Sequence, residues 1–156
     1  MHDIEAQAVD SPSEFVANQA KQYAANGGID VKHPNADSVI LLYVRGRKSG
    51  QIRRVPLVSV RDGEDLLIVA SKGGAPNHPH WYLNLAADPR VWVREKADFS
   101  EANATELEGD ERRAAWSKLV EAMAFFADYE SKTDRVLPVI RLTRGDHSAA
   151  SDGTEI

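Results

Sequence analysis

Between Ser38 and Ser71 the chain carries three runs suited to β-strands, separated by nothing longer than a tight turn. Ser38 to Arg45 is apolar and rich in β-branched residues. Arg53 to Arg61 alternates, with Val55, Leu57 and Ser59 on one face, and Leu66 to Ser71 is apolar again. The connections are Gly46-Arg47-Lys48-Ser49-Gly50-Gln51 and the hairpin signal Asp62-Gly63. Turns this short join antiparallel neighbours only, because a parallel pair needs a long crossover. The segment therefore reads as an antiparallel meander, and the strict strand–helix alternation of a doubly wound parallel sheet is missing.

Further strands are expected at Val91-Trp92-Val93, at Phe99 to Leu107 and at Val136 to Leu142. Pro56 and Pro138 place their strands at or near an edge, since proline cannot donate to a sheet ladder. Ser11-Pro12-Ser13-Glu14 is a helix start, and Gly27-Gly28 ends that helix near Asn26. Pro79 opens a short helix from His80 to Ala87, which Asp88-Pro89 closes. Asp110 caps a second long helix, on which Trp116, Leu119, Val120, Met123 and Ala127 recur at helical spacing. The expected fold is α+β, a small antiparallel barrel of about six strands with flanking helices. Residues 1–10 read as a flexible leader, 11–144 as one barrel domain with an N-terminal helix, and 145–156 as a mobile tail.

The 156 residues suffice for one domain with a substantial core. With no cysteine there is no disulfide framework, no thiolate nucleophile and no cysteine-ligated metal. The longest apolar run, Val39 to Val44, is far below a membrane span, and the acidic start Met1-His2-Asp3-Ile4-Glu5 lacks the apolar core of a signal peptide. A cytoplasmic protein is expected. Net charge is −5, yet Ser38 to Arg61 holds six bases and no acid. Those bases are Arg45, Arg47, Lys48, Arg53, Arg54 and Arg61. An acidic protein with one concentrated basic segment points to a local anion site, and argues against nucleic acid, whose binders are more often basic throughout.

The turn Arg45 to Arg54 offers close backbone approach at two glycines, a hydroxyl at Ser49 and several cations, the groups that hold a phosphate or carboxylate. A solvated hairpin tip has the same composition, so both readings stand at this point. The segment matches neither G-x-x-x-x-G-K-[ST] nor G-x-G-x-x-G. Ala70-Ser71-Lys72-Gly73-Gly74-Ala75 is a second candidate, or simply a turn. His78-Pro79-His80 is poorly spaced for two metal ligands, and no metal is expected. Trp81, Tyr82 and Leu85, like Phe125, Phe126 and Tyr129, are core or pocket wall.

Taken together these residues resemble the deazaflavin (coenzyme F420)-dependent nitroreductase and quinone reductase family. Gly46-Arg47-Lys48-Ser49-Gly50-Gln51 with Arg53 and Pro56-Leu57 is similar to one family motif. Ala70 to Ala75 followed by Pro79, Trp81-Tyr82-Leu83-Asn84-Leu85 and Asp88-Pro89 is similar to a second. Asp128-Tyr129, Thr133-Asp134-Arg135 and Pro138 resemble the C-terminal signature. The resemblance implies a split β-barrel of the FMN-binding, flavin-reductase type, with coenzyme F420 as cofactor. It implies Arg47, Lys48, Ser49 and Arg53 on the coenzyme's phosphate and glutamate tail. Arg54, Val55, Pro56, Leu57, Val58, Val69, Ala70, Ser71 and Lys72 would line the ring and ribityl chain. His80, Trp81, Tyr82, Leu83 and Asn84 would close the other side, with Phe126 on the wall and Tyr129 and Ser71 as catalytic hydroxyls. The implied reaction is hydride transfer to a small-molecule acceptor, quinone-like or nitroaromatic. Met123 and Phe126 stand where nitro-reducing members carry tyrosines, which favours quinones. The alternatives are an FMN- or haem-binding barrel, or a cofactor-binding protein without catalysis. Peripheral membrane contact through residues 11–26 and a homodimer complete the expectations.

Overall fold

The computed structural model describes residues 4, 7–10, 39–70, 78–96, 98–132 and 136–145. The strands are β1 (Val39–Arg45), β2 (Ile52–Val58), β3 (Val60–Asp62), β4 (Asp65–Val69), β5 (Arg90–Glu95), β6 (Asp98–Glu106) and β7 (Val139–Arg144). The described helices are α1 (His80–Ala87), α2 (Gly109–Ala122) and α3 (Phe125–Ser131). All strand pairs are antiparallel, in the order β2-β1-β5-β6-β7-β4-β3. The two ends of that order, β2 and β3, are separated in the chain by Ser59 alone. One residue can link both edges only if the sheet curls until they meet, so the barrel follows from the connectivity.

Seven strands replace the expected six because the run Arg53 to Arg61 divides at Ser59. Its first half pairs with β1 and its second with β4. Gly63, at φ +65, supplies the left-handed residue of the two-residue β3–β4 turn. Pro56 does lie on an edge strand. Pro138 does not mark one: β7 runs between β6 and β4. Pro138 is tolerated because it precedes the strand and contributes only its carbonyl, which accepts the Ala70 N–H at 2.9 Å. The second long helix ends at Met123, whose backbone is extended, and α3 starts separately at Phe125.

β1 is apolar on both sides because both faces are covered. Ile40, Leu42 and Val44 point into the barrel with Leu66, Ile68, Val91, Val93, Ile140 and Leu142, and α1 adds Leu85, Trp81 and Tyr82. Val39, Leu41 and Tyr43 form an outer cluster with Ile52 and Trp92, covered by Ile4 and Ala8. A third cluster places Leu119, Ala115 and Phe126 against Leu67, Val69 and Val139. Trp116, Val120 and Met123, which share the helical spacing of Leu119, lie half-buried at its margin, while Ala115 is buried beside Leu119.

The end of the segment read as a leader is docked. Val9 pairs parallel with β2, donating its N–H to the Ile52 carbonyl at 2.8 Å and accepting the Arg54 N–H at 3.0 Å. The helix expected over 11–26 and the tail from 146 lie outside the described residues.

α2 is tied to the barrel through Asp62 at the end of β3, which takes Lys118 from α2 and Arg141 from β7, the latter at 2.9 Å. The Lys118 hydrogen bond, with help from Arg141 and against a smaller opposing effect of burial, holds the Asp62 carboxyl below its ordinary range. A depressed carboxyl stabilises the fold above its unfolded pKa and loses that contribution as pH falls through the folded value. Asp62→Asn should therefore be less stable than wild type at pH 7, with the two stabilities converging below about pH 4. Urea unfolding across that range checks this; parallel pH profiles would show that the carboxylate contributes nothing.

Candidate functional site

The basic turn is built by its own backbone. The Gly46 N–H donates to the Gln51 carbonyl at 2.7 Å, and the Gly50 N–H donates to the Gly46 carbonyl at 2.9 Å. Gly50 is left-handed at φ +74. A Cβ on Gly46 would stand 2.9 Å from Ser49 Oγ and 3.3 Å from the Gln51 carbonyl oxygen, so a side chain there would have to turn the Ser49 hydroxyl away and press on the backbone of the turn. Ser49 Oγ accepts the Gln51 N–H at 3.2 Å, so this hydroxyl shapes the turn.

The turn leans on α1. Asn84, only 4% exposed, accepts the Arg47 backbone N–H at 3.1 Å and its Nη1 at 2.8 Å through one oxygen, Oδ1. Arg47, Lys48 and Arg53 have no carboxylate partner among the described residues. Most other cations of the barrel do. Arg61 and Arg144 meet Glu95, Arg90 meets Asp88, and Arg141 meets Asp62 and Asp65. Arg47, Lys48 and Arg53 thus form a group of bases at the Gly46–Arg53 corner.

Strand alternation divides the residues expected along β2. Arg53, Val55 and Leu57 pair with Val44, Leu42 and Ile40, whose side chains face the barrel interior. Arg54, Pro56 and Val58 pair with Tyr43, Leu41 and Val39 on the outer face. Period-two geometry therefore prevents Arg54 to Val58 from lining one ring with all their side chains. Arg54 is committed elsewhere. Its Nε and Nη2 reach Asp10 at 2.5 and 3.2 Å, and its side chain is only 14% exposed. The hydrogen bond that Arg54 donates to Asp10 outweighs desolvation and, with Tyr43, raises the guanidinium above its ordinary value. The Arg54 side chain is thus held by Asp10 on the outer face of β2.

The same alternation turns Val69 outward, under the helices, and Ala70 inward. Ser71 and Lys72 lie outside the described residues. On α1, His80 is exposed, Trp81, Tyr82 and Leu83 are half-buried, and Asn84 is buried. The Tyr82 hydroxyl donates to Glu106 at 2.5 Å, and His78 lies 4.9 Å from its ring. Burial, with the Glu106 hydrogen bond and charge, pushes the Tyr82 phenol up to about 12, so it stays protonated at neutral pH. Phe126, 3% exposed, packs 6.4 Å from both Trp116 and Tyr129. It packs in the cluster that joins the helices to the sheet. Tyr129 keeps partial exposure, with Lys132 Nζ 5.7 Å from its ring.

Three partners escape any local reading of the sequence: Asp10 for Arg54, Glu106 for Tyr82, and Asn84 for Arg47. They are separated by 44, 24 and 37 residues, so only the fold brings them together. Among the described residues there is no cluster of three metal-ligating side chains, and no helix long and apolar enough to cross a membrane.

The sequence profile of the F420H(2)-dependent quinone reductases matches residues 15–144. The chain belongs to this family. It is 38% identical over 122 residues to the F420H(2)-dependent quinone reductase Rv1261c of Mycobacterium tuberculosis, covering 76% of this chain and 82% of that one. Among solved structures, an F420-H2 dependent reductase (FDR-A) is 42% identical with a TM-score of 0.63, covering 67% of this chain and 93% of its own. A second, described as a domain-swapped dimer, is 37% identical with a TM-score of 0.65, covering 85% and 99%. The heme storage protein HutZ of Vibrio cholerae is 14% identical at a TM-score of 0.53, covering 70% and 83%, and shares the fold alone. This F420H(2)-dependent quinone reductase family member thus has the split barrel the resemblance implied.

Proposed function

We propose that the protein transfers a hydride from reduced coenzyme F420 to a quinone-like acceptor, with the Gly46–Arg53 corner holding the coenzyme's anionic end. The observation that carries this is the group of three bases, Arg47, Lys48 and Arg53, with no carboxylate partner among the described residues, around a turn closed over glycine. A phosphate with a glutamate tail needs such a set of charge-assisted donors. The bound coenzyme supplies the hydride as a two-electron unit, so the hard chemistry is its own.

The protein's own residues bind, orient and stabilise. Arg47 and Lys48 at the turn and Arg53 at the start of β2 fix the anionic end, and through it the register of the coenzyme. Tyr129, and Ser71 in the second motif, are the hydroxyls proposed to donate to oxygen that gains charge on the acceptor. A phenol at 129 with no second tyrosine at 126 suits a quinone better than a nitro group. A homodimer belongs to this reading, supported by the domain-swapped relative; light scattering at the mass of one 17.2 kDa chain would remove it.

Lys48→Ala should weaken coenzyme binding by roughly ten- to hundredfold, the worth of one hydrogen bond to a charged group. Turnover with menadione at saturation should change little, because the contact is the same in ground and transition states. Titration with coenzymes bearing one or several glutamates, at fixed salt, is the test. Equal affinities for wild type and Lys48→Ala with every tail would reduce the turn to a solvated hairpin tip.

A further inference from the structure

The segment around Val9 meets the basic corner at one residue. Val9 bridges to β2 in parallel with Arg53 as its partner. Its N–H donates to the Ile52 carbonyl at 2.8 Å, and its carbonyl accepts the Arg54 N–H at 3.0 Å, so the two bonds fall on either side of Arg53. Alternation turns the backbone groups of Arg53 itself the other way, toward Val44 on β1. The backbone at this cation is therefore held from both sides, whereas an edge strand is ordinarily held from one. The place of docking follows from the sequence. Pro56 is next along the same edge and has no N–H, so the ladder cannot continue beyond Arg54. Two further contacts seat the segment there. Ile4 and Ala8 pack on the outer cluster around Tyr43 and Trp92, and Asp10 takes the Arg54 guanidinium at 2.5 Å. Arg53 points to the opposite face of β2, with Val44 and the barrel interior, so the segment reaches it through the backbone alone. A cation on a fraying strand end must be ordered when its ligand arrives, and an edge that is already paired removes part of that cost.

We infer that residues 8–10 are a positioning element, which holds the backbone at Arg53 and thereby aims its guanidinium at the coenzyme's anionic end. This rests on the anion reading of the basic corner given above.

The test joins coenzyme F420 titration to amide hydrogen exchange on the full chain, each variant first checked by thermal melting. Val9→Pro removes the donor to Ile52. It should open the Arg54 amide to exchange and weaken coenzyme binding about five- to tenfold, with menadione turnover at saturating coenzyme nearly unchanged. Ala8→Glu brings a charge against the outer apolar cluster without altering the backbone of the segment, and should produce the same pair of changes. Val9→Ala keeps both backbone bonds and should retain wild-type protection and affinity. Arg54→Ala, which removes the ion pair but neither backbone bond, should stay near wild-type affinity. In the double variant Val9→Pro/Arg53→Ala, affinity should match Arg53→Ala within about twofold, since the segment acts through Arg53. Wild-type affinity in Val9→Pro and Ala8→Glu with the Arg54 amide open would overturn the inference. So would an Arg54 amide no better protected in wild type than in these variants, or losses that multiply in the double variant. If Arg53→Ala itself binds like wild type, the anion reading fails at that residue, which is a different result from any of these.

Discussion

Leu119→Ala should destabilise the protein by about 2–5 kcal/mol, the largest effect expected of any single change in α2. Leu119 is fully buried, in the cluster that joins α2 and α3 to β4 and β7 through Leu67, Val69, Leu137 and Val139. Truncation there leaves a cavity bounded by a sheet that cannot collapse, since β4 and β7 are hydrogen-bonded along four residue pairs. Trp116→Ala should cost less despite the larger side chain. Trp116 lies at the margin of that cluster, and one of its partners is the Arg112 guanidinium, 5.5 Å from the ring centroid. Urea unfolding at constant m-value compares the two. A loss under about 0.5 kcal/mol for Leu119→Ala would mean that α2 is not seated on the sheet.

The second large effect separates two adjacent arginines. Replacing Arg47, Lys48 and Arg53 together by alanine should lower coenzyme affinity at least about a thousandfold, since each charge-assisted bond is worth about 1.5–3 kcal/mol even before losses from coupling. The melting temperature should hardly move, because none of the three is paired with a carboxylate among the described residues. Arg54→Ala should do the reverse. It strands Asp10 and removes a guanidinium neighbour of Tyr43, costing about 1–3 kcal/mol of stability, with little change in affinity. Isothermal titration and thermal melts on the two variants decide the matter. Coenzyme binding lost in Arg54→Ala at unchanged stability would place that guanidinium in the site after all.

What could be read from the chain alone was whatever local chemistry decides. The run Val39 to Val44, the Asp62-Gly63 turn, the helix opened by Pro79 and the basic corner all follow from neighbouring residues. The division at Ser59 does not, because alternation continues through it and only the identity of the pairing strand changes. Nothing in Met123-Ala124 announces a helix break, as neither residue is glycine or proline. The candidate site was legible in its charges and motifs, but not in which face of a strand each residue takes. Arg53 and Arg54 are chemically identical, and a strand's period of two, together with an aspartate 44 residues away, puts them on opposite faces of β2 and gives a carboxylate partner to Arg54.

The single-residue link at Ser59 also bears on how such a barrel avoids sticking to itself. An open sheet exposes two rows of unpaired backbone groups, each a template for a stray strand. Here both outer strands are consecutive in one chain, so neither can be drawn into an intermolecular ladder without dragging the other across the barrel. β3 is only three residues long, and the outer side of β2 carries Pro56 and the docked Val9. Lengthening the link with flexible glycines would release that coupling, and the barrel would become a candidate for fibrillar association under conditions where the natural chain stays dispersed.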